Sequence, residues 1–330
     1  MPSLSLCKQC SQIPFDAELK TLRSEEYSGP TSWSLGTFGE LRARNCPFCE
    51  LVAPMCTSGK SSWDAFTPPG DSKVVVVEWS SGSFKAACFD LGSCICISGD
   101  LDDRNANYAT AYYARTTFDE FIAFENIRRW ISMCDQEHGT YGSECRPTPF
   151  NPAILPRIGK RQLDFRVIDV NKMCIVYAPL QCKYVALSYV WGAGKGSRLV
   201  LTSQNEETLM QPEALTNAQA LIPNTILDAI TVVRKLEEKY LWVDSLCLAQ
   251  DDTVELQECV AIMDLFYEMA VLTIVAADGE DAWAGLRGVE PTPRQLNQRV
   301  RKIVPGLNMT TIKDMDGLLR RSTYSSRAWT

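Results

Sequence analysis

From Tyr184 to Ala277 the spacing of apolar residues alternates between two periods, and this limits the fold more than any other feature. Tyr184–Trp191 is a short apolar run with β propensity, stopped by Gly192. Pro223-Asn224-Thr225 then opens a helix in which Ile226, Ile230, Val233 and Leu236 share a face. Tyr240–Val243 is a compact strand. Asp251-Asp252-Thr253 starts a second helix, with Leu256, Val260, Met263, Phe266, Tyr267 and Ala270 as its buried stripe. Val271–Ala277 is a further strand. Strands joined by helices of this length pair in parallel, because a tight turn cannot link a parallel pair. The expected fold is α/β, with an open, doubly wound parallel sheet over residues 160–330.

The first half reads differently. Val74–Trp79 and Phe84–Ile97 are strand-like, separated by the turn residues Ser80 to Ser83 and broken at Gly92. Thr117 to Met133 has helical spacing, with Phe121, Phe124, Ile127 and Ile131 on one side. Pro147, Pro149, Pro152 and Pro156 crowd the stretch 139–160, the natural boundary. Two domains are expected: a small cysteine-rich α+β region over 1–150 and the α/β domain over 160–330.

The net charge is −7 and no basic stripe adjoins the cysteines, which speaks against a nucleic-acid partner. Apolar runs are far shorter than the ~20 residues a spanning helix needs, so no membrane segment is expected. The N-terminal MPSLSLCKQC lacks the basic and apolar regions of a secretory signal, which points to the cytoplasm.

Fourteen cysteines with one histidine, His138, point to thiols or metal rather than disulfides in that compartment. Cys7-x-x-Cys10 and Cys46-x-x-Cys49 each place two thiolates on one tight turn. Two such turns make a closed, structural four-cysteine zinc site. The alternative is a set of reduced thiols packed as small hydrophobes. Cys134, His138 and Cys145 are a weaker group needing a fourth ligand such as Cys88, Cys94 or Cys96. A helix-end histidine beside unrelated thiols explains them as well. Gly192-Ala193-Gly194-Lys195-Gly196 follows a strand, but it matches neither phosphate-loop pattern and reads as a surface turn.

Ligands of open α/β sheets gather at the carboxyl ends of strands. Asp244 follows one strand directly, Ser188 and Tyr189 lie late in another, and Asp278 and Glu280 follow a third. Asp244 near Ser188 or Tyr189 would line a cleft; equally, Asp244 could cap the next turn or pair with an arginine. Glu255 and Glu258 fall on the polar side of their helix and are expected in solvent.

Three blocks carry a resemblance: YVALSYVWG at 184–192, IPNTILDAI to YLWVDSLCLAQDD at 222–252 with TIVAADGEDAWAGLRG at 273–288, and SSRAWT at 325–330. In order and spacing they resemble the heterokaryon incompatibility (HET) domain of filamentous fungi. Asp164 to Asp169 is similar to the usual start of that domain. The segments LCKQC, NCPFCELV and WISMCDQEH resemble regions that often precede it.

The resemblance implies non-self recognition and programmed cell death, with self-association or another incompatibility protein as partner. It also implies a distant likeness to Toll/interleukin-receptor (TIR) domains, hence a flavodoxin-like fold. Some TIR domains cleave NAD with a glutamate, and others are scaffolds. In the family a Gln-Glu step follows the last block, whereas this sequence ends at Thr330. The resemblance therefore implies a domain truncated before its candidate catalytic glutamate. If NAD is a substrate, Asp244 and Ser188 are the expected catalytic groups. Tyr189, Trp191, Gly192 and Arg327 would then bind the nucleotide, Arg327 through phosphate. In a scaffold, Trp191, Trp242 and Trp329 are structural.

Overall fold

The computed structural model describes residues 5–15, 31–56, 70–80, 83–86, 94–98, 113–114, 120–134, 136, 165–179, 182–192, 197–294, 298–312, 315–320 and 322–326. The chain is a mixed α/β protein with two sheets, divided into two compact units. One comprises residues 1–118 and 296–321, the other 119–295 and 322–330. The proline-rich stretch 139–160 lies outside the described residues.

The first unit begins with β1 (Ser32–Thr37), helices α1 (Phe38–Ala43) and α2 (Pro47–Met55), and β2 (Val74–Ser80). Strands β3 (Ser83–Ala86), β4 (Cys94–Ser98) and β5 (Tyr113–Ala114) follow. Thr37 starts α1 with a capping box: its hydroxyl accepts from the Glu40 amide, and the Glu40 carboxylate accepts from the Thr37 amide. On β2, Val75, Val77 and Trp79 point inward while Val74 is half exposed, the alternation of a sheet with one face on the core. Phe15, Phe48, Trp79 and Phe84 close that core edge to face, with Phe48 and Phe84 centroids 5.1 Å apart.

The first described helix of the second unit is α3 (Phe124–Met133); of the helix expected over 117–133, residues 117–119 lie outside the described residues and 120–123 are not helical. Residues 120–122 have helical spacing, but their backbone is engaged elsewhere. Ile122 donates to the Gly288 carbonyl (2.8 Å), and Glu120 O accepts from the Arg294 amide (2.9 Å). Strands β6 (Arg166–Asp169), β7 (Cys174–Tyr177) and β8 (Val185–Ser188) come next. After α4 (Asn224–Lys235) come β9 (Tyr240–Trp242), α5 (Thr253–Val260), α6 (Met263–Glu268) and β10 (Leu272–Val275). The sheet order is β10-β8-β9-β6-β7.

β8 pairs in parallel with both β9 and β10, as the alternating pattern predicts. All four of its residues are buried, the signature of a strand covered on both faces. The expectation of a wholly parallel sheet is corrected at its edge: β6 is antiparallel to β7 and to β9. The physical reason is the link from β6 to β7, Val170 to Met173, which is too short for a crossover. The Asp169 carboxylate accepts from the amides of Asn171 and Lys172 and folds that link into a turn.

The second predicted helix is two helices. The chain breaks at Ile262, where ψ is 18°, and the helical register shifts. Val260, expected in the stripe, is 53% exposed, while Cys259, Leu265 and Phe266 are buried. Phe266 stacks on Trp242, which is fully buried and structural. Among the described residues no helix is long and apolar enough to cross a membrane.

Glu255 is also not the solvated residue its helix face suggests. Its Oε1 accepts from Arg166 Nη1 at 2.5 Å, and Arg166 Nε donates to Glu206 Oε1 at 2.6 Å. The Tyr177 hydroxyl donates to the same Glu206 oxygen at 2.6 Å. The Arg166 side chain is only 7% exposed, so β6 carries an ion triad into the core edge. Desolvation pushes Glu206 up, but the bonds from Tyr177 and Arg166 outweigh it and hold its carboxyl below the usual range.

The chain then supplies the first unit with β11 (Val300–Val304) and β12 (Leu307–Ile312). That sheet runs β1-β2-β3-β4-β12-β11, with β5 parallel to β4 and the remaining pairs antiparallel.

Candidate functional site

In the first unit, the Ser11 amide donates to Cys7 O at 2.9 Å and closes the turn from Cys7 to Cys10, and Cys10 begins a 3-10 turn closed by the Ile13 amide donating to Cys10 O at 3.2 Å. Cys46 caps α2, Pro47 takes the first helical position, and Cys49 falls in the first turn. The two predicted turns meet. All four Sγ atoms lie within 4.8 Å of one another. Cys7 and Cys10 Sγ stand 3.8 and 3.6 Å from Cys49 Sγ. Zinc with sulfur at ~2.3 Å in a tetrahedron sets its sulfurs about 3.8 Å apart, so the cluster could hold a metal ion such as zinc.

No disulfide forms among the described cysteines. Cys10, Cys46 and Cys49 are buried and Cys7 is partly so, and the Cys7 amide donates to Cys46 Sγ at 3.5 Å. The thiols of Cys10 and then Cys49 hold Cys46 well below the usual thiol range, while the bond to Cys46 drives Cys10 above it. Burying four thiols this closely favours one compensating cation. Of the weaker group, Cys134 is half-buried at the end of α3, whereas Cys88, His138 and Cys145 lie outside the described residues. Cys94 and Cys96 are in β4.

In the second unit the strand-end residues form a connected set. β8 lies between β9 and β10, so the order of the parallel strands reverses beside β8. Ser188 ends β8, and its Oγ is 3.0 Å from the Tyr324 hydroxyl. Asp244 follows β9 by two residues. Its Oδ2 accepts from Trp191 Nε1 at 2.9 Å, and its Oδ1 from the Ser245 amide at 2.7 Å. The buried Tyr189 hydroxyl donates to Ser245 Oγ at 2.9 Å. Burial first, then the Asp244 charge, pushes the Tyr189 phenol well above its ordinary range, so it stays protonated.

Arg198 lies over the Trp191 ring, 4.5 Å from its centroid, and donates to the Trp191 carbonyl at 2.9 Å. Gly192 has a positive φ of 74°, and a Cβ there would stand 2.3 Å from Asp281 Cβ. Its glycine therefore serves a close backbone approach. Asp278 pairs with Arg287 at 2.6 Å, and Glu280 is exposed. Arg327, Trp329 and residues 193–196 lie outside the described residues.

The structure thus joins Asp244, Trp191, Tyr189 and Ser245 through hydrogen bonds, and ties Ser188 to Tyr324. Sequence reasoning missed Arg198, Ser245 and Tyr324. Ser245 was legible as the neighbour of Asp244. Nothing local marked Tyr324, which reaches Ser188 from 136 residues away.

Residues 184–330 match the family model of the heterokaryon incompatibility protein (HET). The chain carries a HET domain. The match begins at Tyr184, one residue before β8, so it takes in the three parallel strands and leaves the β6–β7 hairpin upstream. The Asp244–Trp191 bond joins the first two sequence blocks of the HET domain, and the Ser188–Tyr324 contact ties the first to the segment just before the third. No match was found among curated proteins or among solved structures.

Proposed function

We propose that this HET domain serves non-self recognition in filamentous fungi and triggers programmed cell death from the cytoplasm. The family match over residues 184–330 carries the reading. The partner is a second copy of the chain or another incompatibility protein, and a zinc ion on Cys7, Cys10, Cys46 and Cys49 is structural. Asp244 organises the strand-end surface by fixing the Trp191 indole. Both Asp244 oxygens accept protein hydrogen bonds, which supports a self-associating module over general acid–base chemistry.

Induced expression in yeast tests this, with viability, assembly state and intracellular NAD read together. Cells expressing the chain are expected to die while NAD holds steady, with concentration-dependent assembly of the purified protein. The Asp244→Asn variant, shown to be folded, should lose toxicity. A fall in NAD would instead favour a TIR-like NAD glycohydrolase, with Ser188 and Asp244 at the reacting bond. Full toxicity of a folded Asp244→Asn protein would remove Asp244 from either account.

A further inference from the structure

Cys94 and Cys96 lie outside the four-cysteine cluster and outside the HET domain. They stand two apart on β4, so their side chains share one sheet face, and their Sγ atoms are 3.6 Å apart. Cys96 is only 4% exposed, while Cys94 is partly open to solvent. The register places Thr310 of β12 directly opposite Cys96, on that same face. Thr310 is fully buried, and its hydroxyl has no hydrogen-bond partner among the described residues. A buried hydroxyl left unsatisfied costs about 1–3 kcal/mol, so its place beside two thiols calls for a chemical explanation.

We propose that Cys94 and Cys96 are a modification site: a dithiol that a peroxide oxidises reversibly to a disulfide, with Thr310 assisting. The more open Cys94 thiolate attacks the peroxide O–O bond. A sulfur–oxygen bond forms, the O–O bond breaks, and the departing hydroxide takes a proton and leaves as water. The Cys96 thiolate then attacks the Cys94 sulfur, and the Thr310 hydroxyl opposite it turns to donate to the developing charge. The S–S bond forms, the S–O bond breaks, and a second water leaves. In total two thiols and one hydrogen peroxide give one disulfide and two waters.

Residues two apart on an extended strand have Cα atoms about 6.6–6.8 Å apart, at the long end of the disulfide range of roughly 4.4–6.8 Å. A bond closed there is strained and readily reduced, which suits a reversible mark rather than a permanent staple. β4 pairs with β3, β5 and β12, so closing the ring pulls on the middle of the sheet.

The test treats the full-length, metal-loaded chain with a few equivalents of hydrogen peroxide, blocks remaining thiols, and sequences tryptic peptide 86–104 by mass spectrometry. The expected product is lighter by two hydrogens, bonded Cys94 to Cys96, and restored by dithiothreitol. A bond involving Cys88, sulfinic acid at either cysteine, or no change would overturn the proposal. So would persistence of the mass loss in Cys96→Ser. Thr310→Val is expected to slow bond formation several-fold, and an unchanged rate would overturn the role given to the hydroxyl.

Discussion

Replacing Arg166 by Met isolates the ion triad. Met keeps much of the length and apolar stem but removes the charge shared by Glu206 and Glu255. These carboxylates sit at 2.6 and 2.5 Å from the guanidinium, with side chains 23% and 20% exposed. Each contact lies in a medium closer to protein than to water, where a unit pair at 4 Å interacts by about 4 kcal/mol. Much of that is returned as desolvation, so the net worth of the triad is far smaller than the sum. The cost of breaking it is larger than its worth, because two carboxylates are left facing each other without a counter-charge. Removing one partner of a buried pair costs about 3–5 kcal/mol. For a unit of this size that is roughly 6–20 °C in melting temperature, at about 2–4 °C per kcal/mol.

The pH dependence separates this account from simple loss of packing. In the native protein the Glu206 carboxyl is held below its usual range, so its stabilisation is present above the unfolded value of ~4.3 and lost as pH falls through the folded value. In Arg166→Met the Glu206 carboxyl loses the guanidinium that holds it low, its folded value rises, and the variant recovers stability relative to wild type as pH drops toward 4. Thermal melts from pH 8 to 4 by circular dichroism measure both. The triple variant with Glu206→Gln and Glu255→Gln should regain most of the loss. A melting temperature equal to wild type at pH 7, or a deficit constant with pH, would refute the reasoning.

Two further outcomes follow from the geometry. Metal analysis of the purified chain should find one zinc per molecule, and Cys49→Ser should lose it and lower the melting temperature of the first unit; absence of zinc in the wild type would sink that site. Gly192→Ala should destabilise the HET domain by about 1–3 kcal/mol, since it adds both a strained φ and a clash with Asp281; a neutral result in denaturant melts would contradict the close approach.

Much of the HET domain was legible because local pattern and tertiary demand agree there. Ile226, Ile230 and Val233 share a helix face, and that face meets the sheet. β8 could be read from a four-residue apolar run because a strand buried on both faces has no polar alternate. Two of the misreadings share one cause, which is chain distant in sequence. Glu255 looked solvated because its partner Arg166 is 89 residues away. Residues 120–122 looked helical because nothing nearby shows that Gly288 and Arg294 take their backbone. Val260 failed for a local reason, a break whose position periodicity cannot mark when apolar residues flank it on both sides. The cysteine turns were legible as ligand pairs from spacing. Their meeting depends on α2 carrying Cys46 and Cys49 together at its N-terminus, which Pro47 fixes.

The strands β11 and β12 set an order of events during synthesis. Arg301 on β11 bonds Glu50 on α2 at 2.5 Å, across 251 residues of chain. At about 5–20 residues per second, a ribosome needs roughly 10–50 s to span that interval. The four clustered cysteines have all been made by residue 49, and every described strand of the second unit is made before β11 exists. Until β12 is made, the β4 edge it will cover presents unpaired backbone donors and acceptors to other nascent chains. The sheet of the first unit thus closes only after the strands of the second are made, and its vulnerability to mispairing is greatest when polysomes crowd.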